Sequence, residues 1–125
     1  MPIFPWGQYE RAIDFHQQSL AIKREIGDRQ GEANSLGNLG SAYYSLSQYE
    51  RAIDFHQQSL AIDREIGDRQ GEALSLNNLG ATLIDTHHWQ DAETVLNQSI
   101  LAYESLRTKS SQGLCAAARP TARRQ

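Results

Sequence analysis

Apolar residues recur three or four positions apart along most of the chain, with polar residues between them. Two consecutive sets near the middle show the spacing most clearly: Leu36, Leu39, Tyr43 and Leu46, followed by Tyr49, Ala52, Ile53, His56 and Leu60. This spacing places each set on one face of an amphipathic α-helix. The pattern therefore predicts an all-α protein.

The chain contains an internal repeat with a period of 40 residues. Residues 8–33 and 48–73 are identical at 25 of 26 positions, and the single difference is Lys23 against Asp63. A period of this length indicates stacked supersecondary units, each unable to bury its apolar face alone. Blades of β-propellers have a similar period, but the chain has no alternating run of β-branched residues. The repeat is therefore predicted to be helical.

The periodic segments predict five helices, separated by short turns. Their expected bounds are about 8–26, 29–46, 48–66 and 69–86, with a fifth helix ending near residue 106. The sequence between the helices carries turn and capping signals.

Gly27 can close the first helix in a left-handed conformation, and Asp28 can cap the second helix. Gly67 repeats the first of these turns. Ser47, with Glu50 three residues later, has the spacing of a capping box that opens the third helix.

The repeat resembles the tetratricopeptide pattern. The motif Leu36-x2-Leu39-Gly40-x2-Tyr43, followed by Ala52, carries the resemblance, because small residues let the A and B helices of one unit approach closely. Leucine stands at position 36 where the family often has tryptophan, and no proline ends the B helices. These departures resemble the 40-residue variant found in the Leu-Gly-Asn spindle-orientation adaptors and in bacterial regulatory scaffolds.

The resemblance implies a right-handed superhelical stack of antiparallel helix pairs, about two and a half units long. The expected units are residues 8–28, 29–68 and 69–107. Residues 108–125 are expected to form a degenerate capping helix and a basic tail.

Residues 1–7 are expected to be irregular, because they contain two prolines and a glycine. The chain would then begin inside a repeat, without the first A helix. An alternative is that Ile3, Phe4 and Trp6 fold back as an apolar cap on the first B helix.

Composition narrows the classes of function. Residues 1–107 carry 8 basic and 15 acidic side chains, and residues 108–125 carry 4 basic and no acidic ones. An acidic body argues against a nucleic-acid ligand. No apolar run approaches the ~18 residues of a membrane span, and a single cysteine excludes a disulfide framework. We expect a cytoplasmic protein that binds neither nucleic acid nor membrane.

The histidines do not form a predicted metal site. His16 and His56 lie 40 residues apart because the repeat does, and each is expected to be packed and hydrogen-bonded on an apolar stripe. His87 and His88 are adjacent on a turn, where two residues rarely chelate one ion. The chain has no nucleophile elbow, zinc-protease motif or phosphate loop. We expect no metal, no cofactor and no enzymatic activity.

In stacked helical hairpins the A helices line the concave face, where peptide ligands usually lie. The repeat register directs a set of largely polar residues toward that face: Asn34, Asn38, Ser41, Tyr44, Ser45, Asn77, Asn78 and Asp85. Asn38 and Asn78 align one repeat apart, and an asparagine amide can both donate to and accept from a peptide main chain. The resemblance likewise implies that these asparagines grip an extended partner segment. Solvated polar residues with no ligand are the alternative.

The sequence therefore predicts a protein-interaction scaffold that binds a peptide or partner protein. The rival hypothesis is a structural segment that serves self-assembly or spacing inside a larger protein. A homodimer is also expected through the stripe of the first B helix that its own A helix would normally cover: Tyr9, Ile13, His16 and Leu20. The competing outcome is the apolar cap described above, which would leave a monomer.

Overall fold

The computed structural model describes the main chain of residues 5–123 and the side chains of residues 7–107. Within this range the chain forms five α-helices and no strand. They are α1 (Pro5–Ile26), α2 (Arg29–Ser45), α3 (Tyr49–Ile66), α4 (Arg69–Asp85) and α5 (Trp89–Arg123). Each helix packs against the next, and α2 also contacts α4. The predicted all-α stack of antiparallel helix pairs is confirmed.

The turns after α1 and α3 are closed by glycine, as predicted. Gly27 and Gly67 have φ angles of 76° and 75°, in the left-handed region. The amide of Asp28 donates to the carbonyl of Lys23 at 2.9 Å, which satisfies one of the last carbonyl groups of α1. The Asp28 carboxylate then accepts from the amide of Gly31 at 2.9 Å and caps α2.

The turns after α2 and α4 contain a non-glycine residue in the same left-handed conformation. Ser47 has a φ of 61° and His87 a φ of 64°. The predicted capping box at Ser47 is wrong, because α3 is preceded by Gln48, whose side chain makes no capping hydrogen bond. An N-cap residue needs an extended main chain, whereas Ser47 is held in the conformation that terminates α2.

Both outer helices are longer than predicted. Helix α1 begins at Pro5, so the expected irregular segment is wrong for residues 5–7. Proline is tolerated in the first turn, where its missing N–H would have had no helical partner. The alternative cap by Ile3, Phe4 and Trp6 lies outside the described residues.

Helix α5 runs on to Arg123, whereas the sequence predicts an end near residue 106, followed by a degenerate capping helix and a basic tail over residues 108–125. Three consecutive alanines at 116–118 favour continuation, because alanine has the highest helix propensity.

The core consists of two clusters of apolar side chains. One lies between α1, α2 and α3 and contains Leu36 and Leu39; the other lies between α3, α4 and α5 and contains Leu76. Ala52 is fully buried, as its predicted role at the close helix contact requires. Gly40 also lies at a close helix contact, since a Cβ placed there would lie 2.7 Å from Cε1 of His56.

Ion pairs between a buried glutamate and two partly exposed arginines recur with the repeat, and one pair of each set ties a B helix to the following A helix. Glu32 accepts hydrogen bonds from Arg24 at 3.0 Å and from Arg29 at 2.7 Å. Burial raises the pKa of the Glu32 carboxyl, but the two guanidinium groups outweigh it and hold that pKa below its usual value. Glu72 makes the equivalent contacts with Arg64 and Arg69 at 3.0 and 2.8 Å.

Candidate functional site

Two adjoining cavities lie between α2 and α4, the two A helices, and together they form what we call the α2–α4 groove. Helix α3 packs against both of these helices and supplies further lining residues. The larger cavity has a volume of about 350 Å³. It is lined by Ala33, Asn34, Gly37, Asn38, Ser41, Ser59, Asp63, Gly71, Leu74, Ser75 and Asn78.

The smaller cavity has a volume of about 190 Å³. It is lined by Ser41, Tyr44, Ser45, His56, Asn78, Ala81 and Thr82. Ser41 and Asn78 line both cavities, so the two form one continuous groove. Neither lining contains a lysine or an arginine.

Most of the residues predicted for the peptide site line this groove. Six of the eight do so: Asn34, Asn38, Ser41, Tyr44, Ser45 and Asn78. A seventh, Asp85, accepts a hydrogen bond from the Tyr44 hydroxyl and thereby links the ends of α2 and α4. This bond raises the pKa of Tyr44, as does burial. The eighth, Asn77, is exposed on α4 and lines neither cavity.

Three groove residues on α3 were not predicted as site residues. His56, Ser59 and Asp63 come from a B helix, whereas the prediction considered only the A helices. One signal in the sequence pointed to this region, because Asp63 is the single difference between the two near-identical segments.

His56 is buried with one ring nitrogen unsatisfied. Its side chain is only 1% exposed, and among the described residues Nδ1 has no hydrogen-bond partner. Burial lowers the pKa of His56 to about 4, so the imidazole is neutral at neutral pH. The prediction of a packed histidine is confirmed at this position, and the prediction that it is hydrogen-bonded is wrong for Nδ1. His16, its equivalent on α1, is half-buried.

Asp63 is a buried acid that reaches the groove. It is 3% exposed, and its Oδ2 accepts a hydrogen bond from the Ser75 hydroxyl at 2.9 Å. Burial raises the pKa of Asp63 to about 6; the Ser75 bond acts against this rise, and the carboxylates of Asp68 and Glu72 add to it. The groove thus carries a carboxylate that is ionised at neutral pH.

The stripe predicted for self-association is mostly turned inward. Ile13 and Leu20 are buried in the core cluster that α1 shares with α2, so neither is available to a second chain. They pack against the following A helix, as Ile53 and Leu60 of α3 pack against α4. Tyr9 is exposed at the edge of the stripe, and His16 is half-buried.

The apolar side chains that α1 does expose lie on another face. Phe15 is 67% exposed, Ile22 55% and Ile26 68%. Their equivalents on α3 include Phe55, which stacks on Tyr43 of α2, and Ile62, which is buried in the core. The exposed face of α1 is therefore equivalent to the face of α3 that packs against α2, the A helix of the same repeat unit.

Within residues 7–107, no three histidine, cysteine or acidic side chains are grouped closely enough to hold a metal ion. None of the helices, over the part of the chain that is described, is both long and apolar enough to traverse a bilayer.

The stacked helix pairs, the fixed sequence period and the groove between successive A helices define a helical-repeat protein. The sequence profile of the tetratricopeptide repeat matches residues 7–65 and again residues 46–105. The chain belongs to the tetratricopeptide repeat family, as its sequence predicts. Tetratricopeptide repeats are non-enzymatic scaffolds that generally mediate interactions between proteins.

Short stretches of the chain are similar to curated relatives. G-protein-signaling modulator 1 of Mus musculus is 53% identical over 32 residues, and the rat protein of the same name (Rattus norvegicus) matches equally well. The human protein (Homo sapiens) is 47% identical over 34 residues. The similar stretch covers 26–27% of this chain and 5% of each relative, so the chain spans about a twentieth of the proteins it matches.

Proposed function

We propose that this chain is a protein-interaction scaffold that holds an extended segment of a partner protein in the α2–α4 groove. The observation that carries the proposal is the placement of Asn38 and Asn78, one repeat apart, on the lining of a single cavity. Asn34 lines the same cavity, and both Asn34 and Asn38 are exposed. These amides are accessible to a ligand from solvent.

Asparagine suits this role because its amide offers both a donor and an acceptor. An extended peptide presents main-chain N–H and C=O groups along its length, so two or three amides can hold it with little regard to its side chains. Two A helices make a short groove, and we expect a single peptide to bind weakly, with a Kd in the micromolar range or above. The Tyr44–Asp85 hydrogen bond supports the groove by holding α2 and α4 together at one end.

Peptide selection followed by calorimetry tests the proposal. Peptides selected from a random library on the parent chain are titrated into the parent and into the double variant Asn38→Ala/Asn78→Ala. Each lost hydrogen bond costs about 0.5–1.5 kcal/mol, which corresponds to a rise in Kd of about 2- to 10-fold. Asn97→Ala on α5 is the matched control, because Asn97 is exposed and lines neither cavity. Equal affinities for the parent and the double variant would refute groove binding.

Self-association is a second candidate function, favoured by the exposed face of α1. Phe15 and Ile22 are the equivalents of Phe55 and Ile62, which α3 packs into the core cluster that it shares with α2, yet on α1 both are mostly exposed, as is Ile26. A second copy meeting the same face about a two-fold axis would cover these side chains in both chains.

Light scattering tests this candidate. We expect a dimer at micromolar concentration that Ile22→Glu converts to a monomer, while Gln17→Glu, an exposed change on another face of α1, leaves it intact. A parent chain that is monomeric under these conditions would exclude the dimer.

A further inference from the structure

The single difference between the two near-identical segments is Lys23 against Asp63, and Asp63 lines the groove. The contacts of Lys23 in the first unit show what a cation does at the equivalent position. Lys23 extends across Gly31, with its Cδ 2.6 Å from the point that a Cβ on Gly31 would take. Its Nζ lies 3.5 Å from Oδ2 of Asp28, the capping residue of α2. In the first unit a lysine ammonium therefore lies against the capping carboxylate.

In the second unit Gly71 and Asp68 are the equivalents of Gly31 and Asp28, and an acid, Asp63, stands at the position of Lys23. A Cβ on Gly71 would lie 2.5 Å from Oδ2 of Asp68 and 2.8 Å from Oδ1 of Asp63, so two carboxylates converge above this glycine. Asp68 accepts from the Gln30 side chain at 2.9 Å, and Asp63 from Ser75. Within residues 7–107, neither carboxylate forms an ion pair with a lysine or an arginine. The charge balance of the first unit is thus reversed at a position that lines the larger cavity.

An independent observation also points to a ligand in this groove. The buried Nδ1 of His56 has no hydrogen-bond partner among the described residues, and the ring lines the adjoining cavity. Buried polar atoms are almost always satisfied, by protein groups or by ordered water, so this nitrogen marks a place that a water or another polar group can occupy. The groove therefore has an unsatisfied polar atom beside one cavity and an unpaired carboxylate in the other.

We propose that this corner of the groove binds a lysine or arginine side chain of the partner peptide, with the cation against Asp63 and Asp68. The ligand cation would take the place that the Lys23 ammonium takes beside Asp28 in the first unit. Because neither cavity is lined by a basic residue, nothing in the lining repels the incoming charge. This inference rests on the proposed function: the asparagines hold the peptide main chain, and the acids select the side chain at one position.

Selection from a random nonapeptide phage library tests the inference, with the parent, Asp63→Lys and Asp63→Asn as baits. Asp63→Lys restores the residue of the first unit, and Asp63→Asn removes the charge with little change in shape. The matched control is Asp54→Lys, the same charge change at an exposed position of α3 that lines neither cavity. We expect the parent and the control to select peptides with a lysine or arginine at one fixed position, and both Asp63 variants to lose that preference. Replacing the selected lysine by norleucine should weaken binding to the parent about 10-fold or more, as loss of a charge-assisted hydrogen bond does.

The remaining outcomes separate the two proposals. Selected peptides whose binding depends on Asn38 and Asn78 but shows no basic preference would overturn the cation subsite and leave groove binding standing. The same basic preference on the parent and on both Asp63 variants would also overturn the subsite. A parent that selects no peptide overturns both proposals. Circular dichroism establishes that each bait is folded, and if Asp63→Lys does not fold, Asp63→Asn decides the result.

Discussion

Two glycines three residues apart on α2 offer a sharp test of how the helices pack, because the same substitution should have opposite effects at the two positions. A Cβ on Gly40 would lie 2.7–2.8 Å from three ring atoms of His56. A Cβ on Gly37 would meet only the hydroxyl of Ser59, at 3.6 Å, an ordinary van der Waals distance. Gly37→Ala is therefore the natural control for Gly40→Ala.

The magnitudes follow from two opposing effects. Alanine in place of glycine inside a helix stabilises it by about 0.5–1 kcal/mol, and Gly37→Ala should gain this amount. Gly40→Ala gains the same amount but forces a new methyl group against an imidazole that is fully buried. Overpacking of this kind costs about 1–3 kcal/mol. We expect Gly40→Ala to be destabilising by about 1–2 kcal/mol, which places the two variants roughly 2 kcal/mol apart.

Urea denaturation followed by circular dichroism measures the free energy of unfolding of both variants. The same pair is then made on a His56→Ala background, where the ring is absent and Gly40→Ala should no longer be destabilising. Equal free energies of unfolding for Gly37→Ala and Gly40→Ala in the parent would refute the contact between α2 and His56. A Gly40→Ala penalty that persists without the ring would refute His56 as its cause.

Two further predictions concern the turn after α2 and the buried acid. Ser47→Gly should stabilise the chain by about 0.5–1 kcal/mol in urea denaturation, because glycine adopts a left-handed conformation without the cost that other residues pay. Ser41→Gly, at an exposed position in the interior of α2, should destabilise the chain. A neutral or unfavourable effect of Ser47→Gly would contradict the reasoning. The free energy of unfolding of Asp63→Asn should rise relative to that of the parent as pH rises from about 4 to 7. The pKa of Asp63 is raised from 3.8 to about 6 in the folded chain, so the parent loses stability as this carboxyl ionises, whereas the variant has no such group. Each pKa unit corresponds to about 1.4 kcal/mol, so the gain is at most about 3 kcal/mol, and a difference between variant and parent that does not change with pH would contradict the assignment.

Features that depend on a few neighbouring residues could be predicted from the sequence. The identical segments gave the period, the apolar spacing gave the helices, and Gly27 and Gly67 marked two of the turns. The turn at Ser47 was predicted with the wrong conformation, because a serine followed by an acidic residue suits a capping box as well as a left-handed helix end. Local sequence could not distinguish the two, and the path of the chain from α2 to α3 determines which one forms.

Features that depend on which helix lies next to which could be predicted only in part. The repeat register placed the asparagines of α2 and α4 on one face, but that reasoning considered only the A helices and so left out His56, Ser59 and Asp63 of α3. The stripe on α1 was assigned to the wrong side because a B helix has two apolar faces, one for each neighbouring A helix. The sequences of α1 and α3 are nearly identical, so only the packing shows that Leu20 faces α2 and Phe15 faces solvent.

The central claim is that a partner peptide lies in the α2–α4 groove, and nuclear magnetic resonance tests it most directly. Spectra of the nitrogen-15-labelled chain are recorded with and without a peptide selected on the parent, and the main-chain and asparagine side-chain amide signals are compared. We predict that the largest shift changes occur at groove residues such as Asn34, Asn38 and Asn78, with little change at Phe15 on α1 or Leu101 on α5, both of which are exposed away from the groove. Changes centred on the exposed face of α1 or on α5, with the groove asparagines unaffected, would contradict the claim.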